Sequence, residues 1–246
     1  MKYITVEDMG KITLATLKTD NPLNPLNIEI LREIGEAVSN SRNVVVLNSE
    51  GRAFSAGADI KNFTKMNANM AHRFASEGHD IMNGIASADV PVIAAIHGYA
   101  LGGGFELALA CDFRVSTPDA KLALPEITLG ILPGFGGTQR LKAIAGEGRA
   151  LELVSTGRTF TGQEAKEMGI VNRISTDHME EAMELAEELS EKPPLSLKYA
   201  KALIRAPPDE FYEDEKEKFG VLFESKDSKE GFDAFLNKRK PKFKGE

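Results

Sequence analysis

The hydrophobic pattern along the chain changes period several times, and each change marks an element. Two β-rich runs, residues 3–7 and 11–17, flank Asp8-Met9-Gly10 and predict a hairpin with glycine in its turn. Asn21-Pro22 and Asn24-Pro25 then break the chain. Ile30, Leu31, Ile34, Ala37 and Val38 follow at helical spacing and predict an amphipathic helix. Val44-Val45-Val46-Leu47 and, after Pro91, Val92-Ile93-Ala94-Ala95-Ile96 are continuous apolar runs, as expected of strands covered on both faces. Residues 113–117 and 121–124 are shorter strand candidates. Between the two apolar runs, residues 62–87 are polar and methionine-bearing; a helix or two is expected there, on the weakest pattern in the body.

Strand–strand–helix units therefore recur, which predicts an α/β body built from repeated units. From about residue 177 the pattern turns to charged amphipathic helices. Ala182, Leu185, Ala186 and Leu189 form one apolar face, stopped by Pro193-Pro194, and Leu197, Ala200, Leu203 and Ile204 form a second, stopped by Pro207-Pro208. Phe211, Glu215, Phe219, Leu222 and Phe223 predict a third helix. Asp227 with Glu230 reads as a capping pair that opens a last one bearing Phe232, Phe235 and Leu236.

Composition narrows the function. At 42% hydrophobic and 27% charged, the 246 residues are an ordinary globular mixture. The net charge of −7 is a poor basis for wrapping nucleic acid or docking on anionic membrane, so neither partner is expected. Cys111 is the sole cysteine, which excludes an internal disulfide, and His72, His79, His97 and His178 lack metal-ligand spacing, so metal-free chemistry is expected. No run approaches the ~18 apolar residues of a spanning helix, and the first residues lead directly into a strand pattern; the cytoplasm is the expected location. The run from Lys238 to Lys244 is a basic tail on an acidic protein, and a solvated end is the plain reading of it.

Candidate chemistry concentrates around Gly102-Gly103-Gly104. A buried strand, a glycine turn and a helix-like run place unpartnered N–H groups at a helix start, where they favour a developing anion; a tight turn with nothing bound would look the same. Glu106 stands among Phe105, Leu107, Ala108, Leu109 and Ala110. It either faces solvent on a half-exposed helix or lines an internal pocket, where desolvation would raise its pKa into the range useful for proton transfer. Glu126 is a second carboxylate in an apolar setting, between Pro125 and Gly130. Two acids near a donor-rich turn suit general acid/base work on a carbonyl compound. A third element, Arg52 to Lys61, pairs small residues with positive charge at both ends.

Four segments together resemble the enoyl-CoA hydratase/isomerase (crotonase) superfamily, over nearly the whole length. They are Phe54-Ser55-Ala56-Gly57-Ala58-Asp59-Ile60, residues 91–108, residues 125–141 and the C-terminal Phe235-Leu236-Asn237-Lys238-Arg239-Lys240-Pro241. The resemblance implies an α/β fold: a crotonase-like spiral of repeated ββα units over residues 1–190, then a C-terminal α-helical region, 191–246, used in trimer assembly and in covering the ligand. It implies a homotrimer or a homohexamer of two stacked trimers. It implies an oxyanion hole made by the N–H groups of Ala58 and Gly103 around a thioester carbonyl, with Glu106 and Glu126 as the two acids of a hydratase. Coenzyme A would arrive as part of an acyl-CoA substrate, with no separate cofactor, and its binding is assigned to Arg52, Ala56, Asp59, Ile60, Lys61, Phe219, Phe235 and Lys238. The last of these would make the basic tail a phosphate contact.

The reaction so implied is reversible syn addition of water to a trans-2-enoyl-CoA, giving a 3-hydroxyacyl-CoA. Isomerases of the superfamily commonly keep only the second acid, so an enoyl-CoA isomerase or another crotonase-type enzyme is the alternative. A non-enzymatic RNA-binding or assembly protein on the same scaffold is disfavoured by the charge and by the presence of both glutamates. His97 is expected to be a loop histidine satisfied by backbone, Cys111 a small buried residue, and Phe135 a contact to the acyl chain. Met66 and Met70 are candidates either for core packing or for an adaptable acyl pocket. The resemblance fades across residues 62–87, and acyl chain length stays open with it.

Overall fold

The computed structural model describes residues 1–59, 63–205 and 211–246, with backbone alone at 211–214. The strands are β1 (Ile4–Asp8), β2 (Ile12–Leu17), β3 (Val44–Ser49), β4 (Val92–Ile96), β5 (Tyr99–Leu101), β6 (Phe113–Ser116), β7 (Lys121–Ala123), β8 (Phe160–Thr161) and β9 (Arg173–Ile174). β1 and β2 form the expected hairpin, with Met9 N–H donating to Ile12 O at 2.9 Å. Every later strand of the larger sheet is parallel to its neighbour, in the order β1-β2-β3-β4-β6-β9, while β5, β7 and β8 make a smaller sheet.

The chain winds through both sheets. Each of two consecutive passes lays one strand in the larger sheet and the next in the smaller: β4 then β5, β6 then β7. The pass after β3 contributes only a bridge of Ser55 to Ala100, because Gly57, at φ +86°, turns the backbone away two residues on. The expected strand–strand–helix repeat is present, with its second strand reduced to one residue there.

Helices cover the larger sheet on both faces, which is why its strands read as unbroken apolar runs. The helix α1 (Ile28–Ser39) is capped by the Asn27 side chain, which accepts the Ile30 N–H at 2.8 Å, and it buries the five residues picked out by spacing. Beside it lies α2 (Ala68–Ala86), nineteen residues of which only Gly78, Met82 and Ile85 are buried. Its apolar face is short, so residues 62–87 gave a weak pattern. Then come α3 (Gly103–Ala110), a 3₁₀ turn (Pro125–Leu129), α4 (Gly137–Ala145), α5 (Glu147–Thr156) and α6 (Gly162–Glu167). On the opposite face, α7 (His178–Ser190) packs Ala182, Leu185 and Ala186 onto Val44, Val46, Ile93, Ala95 and Val115.

Three further helices end the chain: α8 (Pro194–Arg205), α9 (Phe211–Glu224) and α10 (Lys226–Leu236). Lys201 pairs with Asp112 at 2.8 Å, both nearly buried, and holds α8 to the body. The capping pair expected at Asp227 and Glu230 is not what opens α10. Ser225 is the cap and accepts the Ser228 N–H, whereas Asp227 lies in the first turn and accepts the N–H groups of Lys244 and Gly245 at 2.7 Å. A serine two residues earlier satisfied the helix start, leaving the aspartate to bind the tail. Glu230 pairs with Arg239 at 2.6 Å, so part of the basic tail is folded back rather than solvated. No helix among the described residues is long and apolar enough to cross a membrane.

Candidate active site

Two glycine turns meet at the mouth of α3. Ser55 N–H donates to Tyr99 O and Leu101 N–H to Ser55 O, both at 3.0 Å, which stitches the turn at Ala56-Gly57-Ala58 to the start of α3. The approach is close enough that a Cβ on Gly57 would sit 2.6 Å from Leu101 O and 3.4 Å from Gly103 N; one on Gly103 would lie 4.0 Å from Ala58 N. The backbones of Ala58 and Gly103 therefore lie close together, and neither N–H has an acceptor among the described residues. Gly103 opens α3, so its amide also carries the positive end of the helix dipole.

Both residues line a cavity of about 630 Å³ that Glu106 and Glu126 also line. Glu106 is 1% exposed, which settles its position as internal. Its Oε1 accepts the N–H of Phe135 at 2.7 Å and of Gly137 at 2.8 Å, on either side of Gly136. Burial pushes Glu106 up to about 7; the neighbouring charge of Glu126 adds to this, and the two amides and Arg140 oppose it. Burial also raises Glu126, whose Oε2 is buried without a hydrogen-bond partner among the described residues. A Cβ on Gly102 would lie 2.8 Å from Glu126 Oε1, so this carboxyl stands beside the donor turn. Two carboxyls in one desolvated space resist double ionisation. The two amide donors favour the ionised form of Glu106 and so limit the rise that burial imposes on it.

The remaining walls are mostly apolar. Phe63, Phe74 and Phe135 form an aromatic row, with ring centroids 5.6 and 5.0 Å apart. Ala68, Ala71 and Ala75 line the same space from one face of α2. An aromatic wall with convergent polar groups at one end suits a substrate having an apolar arm and a reacting carbonyl.

The family model for enoyl-CoA hydratase/isomerase matches residues 7–246. The chain belongs to that family. It is 44% identical to a probable enoyl-CoA hydratase of Bacillus subtilis, covering 95% of this chain and 96% of that protein. A short-chain-enoyl-CoA hydratase of Clostridium acetobutylicum is 36% identical over 98% of this chain and 97% of its own. Among solved structures, an enoyl-CoA hydratase of Bacillus anthracis superposes with a TM-score of 0.91 at 38% identity, covering 99% of this chain and all of that one. The fold is thus that of the crotonases, as the resemblance implied.

Of the residues nominated for this enoyl-CoA hydratase/isomerase family member, Ala56, Ala58, Gly103, Glu106 and Glu126 line one cavity. Asp59 is exposed and borders an adjacent groove that shares Phe63, Met66 and Phe74 as its wall. Arg52 is exposed before that turn and does not line the cavity. Ile60 and Lys61 lie outside the described residues. Phe219 and Phe235 are 64% and 83% exposed on the C-terminal helices, and neither they nor Lys238 line the cavity of their own chain. Met66 lines it, whereas Met70 borders only the adjacent groove. His97 has Nε2 3.4 Å from Gly51 O and stacks on His178, away from the site; Cys111 is buried. Sequence reasoning missed Phe63, Phe74, Arg140 and the role of the Phe135 and Gly137 amides. The helical spacing of Ala68, Ala71 and Ala75 was the one local signal for the wall.

Proposed function

We propose that the protein is an enoyl-CoA hydratase, adding water reversibly and syn to a trans-2-enoyl-CoA. The observation that carries this reading is that two residues whose amides lack acceptors among the described residues and two carboxyls line a single, mostly apolar cavity. The thioester oxygen binds between the N–H groups of Ala58 and Gly103, which withdraws electrons from the conjugated double bond and makes C3 electrophilic. Ionised Glu106 removes a proton from the attacking water, and protonated Glu126 delivers one to C2 of the enolate. In dehydration the two exchange roles. The two amide donors on Glu106 Oε1 support an ionised carboxylate there, and the buried Glu126 Oε2, without a partner among the described residues, supports a proton there.

Coenzyme A enters as part of the substrate, with its adenine against the backbone of residues 56–60, Asp59 and Ile60 included, and its phosphates near Arg52 and Lys61. Phe219, Phe235 and Lys238 stand away from their own chain's cavity, and we assign them to the cavity of a neighbouring copy in a homotrimer or homohexamer. Residues 191–246 are the assembly and ligand-covering region on this reading. The relative from Clostridium acetobutylicum, named for short-chain enoyl-CoA substrates, suggests crotonyl-CoA as the first substrate to try.

Loss of the enoyl absorbance of crotonyl-CoA tests the reading. Glu106→Gln and Glu126→Gln should each lower kcat by ~10²–10⁴, the range of general acid/base contributions. Turnover of a 3-enoyl-CoA to the 2-enoyl isomer without hydration would overturn it.

A further inference from the structure

A second groove, lined by Asn83 and Arg140, holds a guanidinium that the proposed reaction does not use. Arg140, on α4, donates from Nη1 to Phe135 O and from Nη2 to Asn83 Oδ1, each at 2.6 Å. Phe135 is also the residue whose N–H holds Glu106, and Gly137, the second donor, lies two residues on. Gly136 between them has φ +93°, with Arg140 Nη1 only 2.3 Å from where its Cβ would be. The Phe135 ring lies against α2 at Gly78, where a Cβ would meet it at 2.1 Å. The turn is thus held at its ring, its carbonyl and its amides, and the guanidinium adds a hydrogen-bonded tie to α2 beside the packing of the ring.

We propose that Arg140 is a positioning residue: by bonding the Phe135 carbonyl and Asn83 together, it fixes the Phe135–Gly136 peptide that links the two amides holding the Glu106 carboxylate, and couples that carboxylate to the cavity helix α2. The inference rests on Glu106 being the general base. A planar fork suits this task because it bonds two acceptors in fixed directions at once; a lysine ammonium supplies the charge without that geometry. The same cation lies near enough to Glu106 to favour its ionised form.

Four variants test it: Arg140→Met, Arg140→Lys, Asn83→Ala and, as reference, Glu106→Gln, each assayed by hydration of crotonyl-CoA across pH. Arg140→Met should lower kcat by ~10–100-fold, since small misplacements of a reacting group cost that much, with KM within about twofold. Its acid limb should move to higher pH. Arg140→Lys should return the limb toward wild type while recovering only part of kcat. Asn83→Ala, an exposed position, should lower kcat about three- to tenfold and leave the limb in place, because the charge near Glu106 remains. In the Glu106→Gln background, Arg140→Met should cost nothing further. Unchanged kcat and pH profile in a folded Arg140→Met overturns the proposal, as does an equal loss in both backgrounds. If Arg140→Met fails to fold, unchanged kcat in Asn83→Ala overturns it. If Glu106→Gln alone retains wild-type turnover, the base assignment fails first and the inference falls with it.

Discussion

At the scale of single residues, the site is held in a state that costs the fold stability. Glu106 is buried with its pKa raised from 4.5 to about 7, so the folded protein binds its proton more tightly than the unfolded chain does. Stability from this group is full below its unfolded value and is lost as pH rises through about 7. The shift corresponds to about 3 kcal/mol at high pH. Glu106→Gln, which cannot ionise, should therefore melt above the wild type at pH 8 and close to it at pH 4.5, in thermal scans at both. Activity has the opposite sign. As the general base Glu106 must be ionised, so kcat/KM should fall as pH drops below about 7, with unit slope in a rate profile.

At the scale of elements, legibility followed how local each signal was. The face of α1, the Gly10 turn and the glycine start of α3 depend on neighbours within a turn or two of chain, and all three could be read from spacing. The wall of the cavity could not, because the first half of α2 lines an open space while its buried residues all lie in its second half, and Ala68, Ala71 and Ala75 carry little hydrophobic contrast. Arg140 and Asn83 are 57 residues apart, and nothing in either segment announces the other. Arg114 is a similar case, an arginine 4% exposed that is satisfied by the carbonyls of Ile170, Cys111 and Ala108. The start of α7 makes a prediction at this scale. Its first residue, His178, stacks on His97 with centroids 4.9 Å apart, and burial lowers the pKa of both; the unfolded chain binds protons more readily, so stability falls as pH drops below about 6.5. His178→Asn should flatten the dependence of Tm on pH between 5 and 7, read by differential scanning.

For the whole molecule, the informative surface is C-terminal. Phe219, Phe223, Phe232, Phe235 and Leu236 are each at least half exposed on α9 and α10, a concentration of apolar side chains unusual for an isolated chain. The proposed assembly covers them, so light scattering should give the mass of three or six chains, and Phe235→Asp with Leu236→Asp should lower it. Because Phe235 and Lys238 are assigned to a neighbour's ligand, the same variant should raise KM more than it lowers kcat.

The stitching of the Ser55 turn to β5 uses peptide groups alone. The proposed seat for the carbonyl oxygen therefore depends on main-chain groups, whereas the two carboxyls can be lost or moved by single codon changes. Lineages descending from such a chain can trade one reaction for another while retaining the electrophile's anchorage, so divergence in chemistry should outpace divergence in architecture.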